Sequence, residues 1–323
     1  MDTTNDTIEE MSFTHNQIFK VNFDGVTLIK ITVVFLMTAF FIYINCIMLF
    51  ALWSKPIFHE KPRYILFAHM LLNDSILLCV TSVMYALSLA LLNIARAICS
   101  LLVLISSCTF QNAPLTLAMM SIERFVAICF PLRHSSIITK KSTSIGLAVI
   151  WCLSSLDIVI DLIYVLMSDF GSPAKTIFCT REKIIIAEWQ VMKAEVFNVL
   201  YFVTVTIIII LTYISIMVTA RSVSTNKESA KKAQRTVLLH LIQLGLCLAS
   251  FLYGIIERIL ALMTVGSTSL FIDLRYLNFL IVLILPRCLS PLIYGLRDDA
   301  VRPLFRYYFC YSSKKIKPAV NVH

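Results

Sequence analysis

The chain has 323 residues, of which 59% are hydrophobic and only 15% charged, with a mean hydropathy of +0.83. Soluble domains run near ~45–50% apolar and ~25% charged, so a water-facing globule of this composition would expose too much apolar surface, and disorder is excluded for the same reason. With only 7 Gly and 9 Pro, collagen-like and low-complexity readings also fall away, leaving a helical membrane protein.

In chain order, residues 1–25 form a polar, acidic tail (Asp2, Asp6, Glu9, Glu10) without the basic and apolar regions of a cleaved signal peptide. Asn5-Asp6-Thr7 within it is a glycosylation sequon. Apolar stretches able to span the ~20-residue hydrocarbon requirement follow near 27–53, 64–92, 97–125, 145–168, 194–219, 236–264 and 276–296. This predicts seven transmembrane helices, the first acting as an uncleaved anchor. The third carries Gln111, Asn112 and Pro114, and the seventh is interrupted by Pro286 and Pro291. Alternating ten-residue segments of the porin kind are absent. The longest loop, about 168–193, leaves no room for a separate catalytic or binding domain, and no internal repeat supports an inverted-repeat transporter.

Charge sets the direction. With the N-terminus outside, the inner segments hold 18 of the 28 Lys and Arg residues, the outer segments hold nine, and Arg287 lies inside a span. Basic residues favour the cytoplasmic side, so the expected topology is N-terminus out, C-terminus in. The net charge of +9 is then topological and leaves no nucleic-acid footprint.

Polar groups inside a bilayer are costly and need a reason. Asn45, Asp74 and Ser290 fall at similar depth on the inner half of the first, second and seventh spans, which suggests one buried cluster: either interhelical hydrogen-bond glue or a functional switch. Glu123-Arg124-Phe125 closes the third span on the inside, where spacing alone also allows a simple interfacial charge pair. Cys99 and Cys179 both fall on the oxidising side, and a bridge between them would tie the second outer loop to the top of span three. The other eight cysteines lie mostly within spans as packing residues. Cys310 differs, because residues 297–309 can set Leu304, Phe305, Tyr308 and Phe309 on one helical face and Arg302 and Arg306 on another. That pattern predicts an interfacial helix ending at an acylation-competent cysteine, followed by Lys314, Lys315 and Lys317 facing anionic lipid.

Asn45, the Leu-Leu-Asn-Asp run ending at Asp74, Cys99, Glu123-Arg124-Phe125, Trp151, Cys179 and Pro291-Leu-Ile-Tyr294 occur in this order on seven spans. The ordered set resembles the rhodopsin-like (class A) G-protein-coupled receptors over nearly the whole chain. Met120 to Cys129 with Pro131-Leu132, Thr212-Tyr213, Lys232-Ala233 with Thr236 and His240-Leu241, and Pro286 to Arg297 are similar to the vertebrate odorant receptors, of the fish type. There are departures. Glu123 and Phe125 replace the more usual Asp and Tyr, Ser290 stands where Asn is typical, and Ala113 stands where many members carry a sodium-binding Ser.

The resemblance implies an all-α membrane protein: a seven-transmembrane helix bundle with the N-terminus outside and a short amphipathic helix after the seventh span. Residues 1–25 would be an extracellular tail, 26–297 the receptor domain, and 298–323 a cytoplasmic amphipathic helix and basic tail. It implies a plasma-membrane odorant receptor, not an enzyme. Its partners would be a small-molecule odorant, the bilayer and a heterotrimeric G protein of the stimulatory, olfactory type, with no cofactor and no metal. The implied switch comprises Glu123, Arg124, Tyr213, His240, Pro291 and Tyr294. The implied ligand pocket comprises Ser106, Ser107, Phe110, Gln111, Phe197, Tyr201, Phe251, Ile255 and Tyr276. Glu257-Arg258 would cap span six in the headgroups.

The alternatives are a class A receptor for another small molecule or a peptide, and a transporter using Asp74, Asp157, Asp161 and Arg287 as a relay. An aminergic receptor would place Asp where Ser106 stands, and an opsin would need a Lys that 276–296 lack.

Overall fold

Backbone inside hydrocarbon must satisfy its own N–H and C=O groups, and in an apolar chain of this length helices do that. The computed structural model describes residues 25–89, 93–168, 176–181, 184–223, 245–246, 249–264, 267–289 and 300–309. Its helices are α1 (Gly25–Trp53), α2 (Pro56–Glu60), α3 (Pro62–Leu89), α4 (Arg96–Cys129), α5 (His134–Ile137), α6 (Lys140–Met167), α7 (Glu188–Val223), α8 (Tyr253–Met263), α9 (Thr268–Asn278) and α10 (Val301–Phe309). Among the described residues six helical runs are long and apolar enough to cross a bilayer, the last being Ser269–Leu289. Of the stretch expected at 236–264, the description covers a 3₁₀ turn at Ser250–Leu252 leading into α8, and little before it.

Two element boundaries differ from the sequence expectation. The last span begins at Thr268, eight residues before the apolar stretch, and passes through a π-helical segment at Phe279–Ile284. Its polar first turns are held by ion pairs: Lys30 of α1 meets Asp273, and Arg275 Nε lies 2.7 Å from Glu257 Oε1 of α8. Glu257 is therefore paired with α9 and is more than a headgroup cap. Helix α7 starts at Glu188, six residues before its apolar stretch, so the second outer loop is shorter than expected. That loop contributes β2 (Thr176–Phe178), which pairs antiparallel with β1 (Asn93–Ala95), so the fold is helical apart from one small two-stranded sheet.

Helix α4 packs against α3, α6 and α7 and runs unbroken through Pro114, although proline removes one helix hydrogen bond. Its close approach to α6 uses Gly146, where any Cβ would run into the Met119 side chain. An inner core joins Met48, Leu52, Leu71, Leu117 and Ile209 to Val301, Leu304 and Phe305 of α10, which lies along α1 with Tyr308 edge-on to Phe50 at 5.0 Å. The amphipathic pattern read from 297–309 thus buries its apolar side on the bundle. An outer core gathers Val103, Cys108, Ile158 and Ile184 around Cys99 and Cys179.

Lipid tails are as apolar as leucine, so helix register depends on van der Waals packing and on interhelical hydrogen bonds of ~0.6–2 kcal/mol each. Thr38–Ser82 at 2.7 Å and Asn45–Ser75 at 2.9 Å join α1 to α3. Asn73 Nδ2 donates to the Thr109 carbonyl of α4, and Trp151 Nε1 of α6 to His69 Nε2 of α3, both at 2.9 Å.

Candidate activation and ligand sites

The C-terminal end of α4 carries the first site. Glu123 is 5% exposed although it is a carboxylate, and it sits between an arginine and a histidine. Arg124 Nε lies 3.3 Å from Oε2, and His134 Nε2 of α5 lies 3.4 Å from Oε1. The short helix α5 exists because residues 130–133 turn back after α4 ends at Cys129, which delivers His134 under the carboxylate. Tyr213 is half-buried on α7, and Cys129 Sγ lies 3.3 Å from Thr219 Oγ1, closing the same end between α4 and α7. His240, Pro291 and Tyr294 lie outside the described residues, as do Asn5 and Cys310.

The mid-bundle polar group is arranged differently from the expectation. Asn45 turns to Ser75, not to Asp74. Asp74, 1% exposed, is met at 3.2 Å by Nη1 of Arg287, itself 2% exposed. A guanidinium thus faces the carboxylate, where amide and hydroxyl groups were expected. Ser290 lies outside the described residues. Opposite charge is the physically favoured partner for a buried carboxylate, and Arg287 stands four residues before Pro291 in sequence, on the span that faces α3. The Arg287 guanidinium also lies over the Phe110 ring, 5.9 Å from its centroid.

A third cluster holds two aspartates that the sequence offers only as part of a transporter relay, without the partners they meet here. Asp157 and Asp161, both 1% exposed on α6, are held by the outer loop and α7. Arg181 Nη2 lies 2.7 Å from Asp157 Oδ2, and Lys193 Nζ lies 3.0 Å from Asp157 Oδ1 and 2.6 Å from Asp161 Oδ1. Gln190, 0% exposed, donates to Asp161 at 3.0 Å and accepts from the Ile186 and Ala187 backbone at the start of α7. The four-residue spacing of the two aspartates was the available signal. Their partners lie 24 to 36 residues away and become neighbours only on folding.

The ligand candidates divide. Ser107 and Phe110 are half-buried, Gln111 is 3% exposed, and all three are on α4. Ser106 Oγ donates to its own helix at Val103, 3.1 Å away. Tyr276 is half-buried beside Tyr85, which stacks on Phe279 with centroids 4.6 Å apart. Ile255 is 55% exposed on α8. Tyr201 donates its hydroxyl to the Leu153 carbonyl at 2.6 Å, with Phe197 beside it at 6.0 Å, so this pair serves the α6–α7 seam. The Phe251 side chain lies outside the described residues. The expected bridge between Cys99 and Cys179 is present, with Cα atoms 5.3 Å apart.

The sequence matches the family described as 7 transmembrane receptor (rhodopsin family) over residues 44–294. It is 38% identical over 289 residues to Odorant receptor 131-2 of Danio rerio, covering 85% of each chain. It is 24% identical over 273 residues to Olfactory receptor 2M5 of Homo sapiens, covering 81% of this chain and 84% of that one. A shorter match, 38% identical over 63 residues and 19% of this chain, is to Growth hormone secretagogue receptor type 1 of Sus scrofa. A multi-pass helical fold, a carboxylate–arginine pair closing the inner end of its central helix and a disulfide-tied outer loop therefore coincide with a match across most of the chain: the protein belongs to the rhodopsin family of seven-transmembrane receptors, a non-enzymatic receptor class with odorant receptors among its relatives.

Proposed function

We propose that this receptor detects a small-molecule odorant at the plasma membrane and, once occupied, activates a heterotrimeric G protein of the stimulatory, olfactory type. The observation that carries this reading is 38% identity across 85% of both chains to a protein named as an odorant receptor. The match to the growth hormone secretagogue receptor spans only 63 residues, which supports a shared scaffold more than a shared ligand class. A transporter relay is disfavoured because Asp74, Asp157 and Asp161 each face a counter-charge within the bundle.

In this reading seven spans run from an outer tail (1–25) through the receptor domain (26–297) to a cytoplasmic helix and basic tail (298–323). Glycosylation falls on Asn5 and acylation on Cys310. Glu123 holds Arg124 in the resting state. Ligand binding opens the inner face, Arg124 leaves Glu123 for Tyr213 and the G protein, and Tyr294 swings inward as the last span bends at Pro291, with His240 part of the same movement. The ligand rests against Ser107, Phe110, Gln111 and Tyr276, a largely apolar lining with few polar groups, as small-molecule pockets have.

The test is cyclic AMP in cells displaying the receptor, with surface staining, against water-soluble and volatile odorant mixtures. A response that vanishes in Arg124→Ala at equal surface level is the expected result. Silence despite clear surface staining counts against the odorant reading, and an undiminished response in Arg124→Ala overturns the switch assignment.

A further inference from the structure

Between the inner ends of α1, α3 and α6 lies an open cleft of about 260 Å³ that the receptor mechanism does not use. Its walls are apolar, formed by Trp53, Ile65 and Ala68, and its polar lining is His59, Lys140 and Ser144. Trp53, at its edge, is 64% exposed. Among the described residues the Lys140 ammonium makes no ion pair or hydrogen bond, although Lys140 lines the cleft. The start of α6 does not require a ligand: Thr139 and Ser142 cap it reciprocally at 3.1 and 3.2 Å. The surrounding charge is nevertheless one-sided, with Lys55, Lys61, Arg63 and Lys141 against Glu60.

We propose that this cleft binds one anionic phospholipid of the cytoplasmic leaflet. The phosphate meets Lys140, and an acyl chain lies along Trp53, Ile65 and Ala68; the Ser144 hydroxyl, which donates to the Lys140 carbonyl at 3.1 Å, and His59 Nε2, 3.4 Å from the Trp53 carbonyl, exchange those contacts for the phosphate. Three physical points favour this occupant. Tryptophan beside a lysine, with an apolar wall on one side and a hydroxyl on the other, matches the headgroup boundary of a bilayer. Basic residues on the cytoplasmic side attract anionic lipid, and a pocket between helices retains a single headgroup. An amphiphile fills both halves of a cleft that is polar at one end and apolar along its walls, which a free anion does not. The site lies on the cytoplasmic side by the orientation proposed above, but its chemistry is independent of what the receptor detects.

The test uses the full-length receptor in phosphatidylcholine bilayers doped with brominated phosphatidylserine, against the same bilayers doped equally with brominated phosphatidylcholine. Trp53 quenching is read as wild type minus Trp53→Phe. The expected result is stronger quenching by the anionic lipid, with an apparent preference of about fivefold, which is what ~1 kcal/mol per lysine at an anionic surface amounts to. Lys140→Met removes the preference, and Ser144→Ala, which leaves the helix cap intact, reduces it. Equal quenching by both lipids overturns the proposal, as does a preference that survives Lys140→Met. Relief of quenching by soluble inorganic phosphate would assign the site to a free anion and overturn the lipid. Because the readout needs no odorant and no G protein, failure of the odorant reading leaves it standing, and its own failure leaves that reading untouched.

Discussion

Glu123 and Arg124 are adjacent in sequence, yet their pairing is not a sequence property. In a helix neighbouring residues point about 100° apart, and they meet only because the end of α4 is enclosed. Burial strengthens that contact, since a carboxylate 5% exposed is poorly hydrated and holds a cationic neighbour more firmly than one in water. His134 enters the same contact through α5, which spacing in the α4 motif does not reveal. The disulfide also belongs to this scale. Cys99→Ser and Cys179→Ser should each lower surface delivery sharply. The double variant should cost little more than either single one, because each single change already removes the whole bond; additive losses in a surface-staining assay would exclude that account.

At the scale of elements, the polar contacts set how the spans sit against one another. Asp74 and Arg287 join α3 to the last span, alongside neutral hydrogen bonds such as Asn45–Ser75 and Asn73–Thr109. Removing one partner of such a pair leaves a buried charge with less compensation, at a cost of about 3–5 kcal/mol. Arg287→Met should therefore lower the apparent Tm of the detergent-purified receptor by many degrees. Asp74→Asn combined with Arg287→Met should recover much of the loss, because neither charge then remains. A double variant no better than Arg287→Met alone would show that packing, not charge balance, is at stake. The same scale explains the early start of the last span. Hydropathy assigns Thr268 to Arg275 to water, but Lys30–Asp273 and Glu257–Arg275 secure these turns against α1 and α8. A sequence window weighs residues singly and has no term for a partner more than two hundred positions away.

At the scale of the whole molecule, the outer face is held together by its second loop. Residues 176–181 are fixed in three ways within six positions: strand pairing to 93–95, the Cys179 bridge to α4, and Arg181 on Asp157 of α6. Three attachments to three different elements make this loop a fixed cover and not a flap. Arg181→Gln should loosen one attachment only. Hydrogen exchange of amides 176–181 should speed up severalfold while surface delivery stays near wild type, and unchanged exchange would mean the pairing and the bridge suffice. Lys193 contributes differently. It sits between two carboxylates that are each 1% exposed, so Lys193→Met leaves both under-compensated and should cost about 3–5 kcal/mol in stability, seen as reduced apparent Tm and surface yield.

Several features were legible in the sequence alone, because each is local or additive. Composition declares a membrane protein, since no soluble fold can hide that much apolar surface. The span positions follow from runs of apolar residues, whose transfer energies add along the chain. The placement of the two bridged cysteines on one side follows from counting spans between them, and the amphipathic face of α10 follows from helical period. What the tertiary structure decided is which polar groups share a partner. Asn45 chose Ser75, Asp74 chose Arg287, and Asp157 with Asp161 chose Arg181 and Lys193. It also decided that the Tyr201 hydroxyl bonds to the Leu153 carbonyl of α6. Side-chain direction in a bundle depends on the rotation of each helix about its own axis. In a segment that is apolar on every side, periodicity carries almost no information about that rotation, and the packed neighbours determine it.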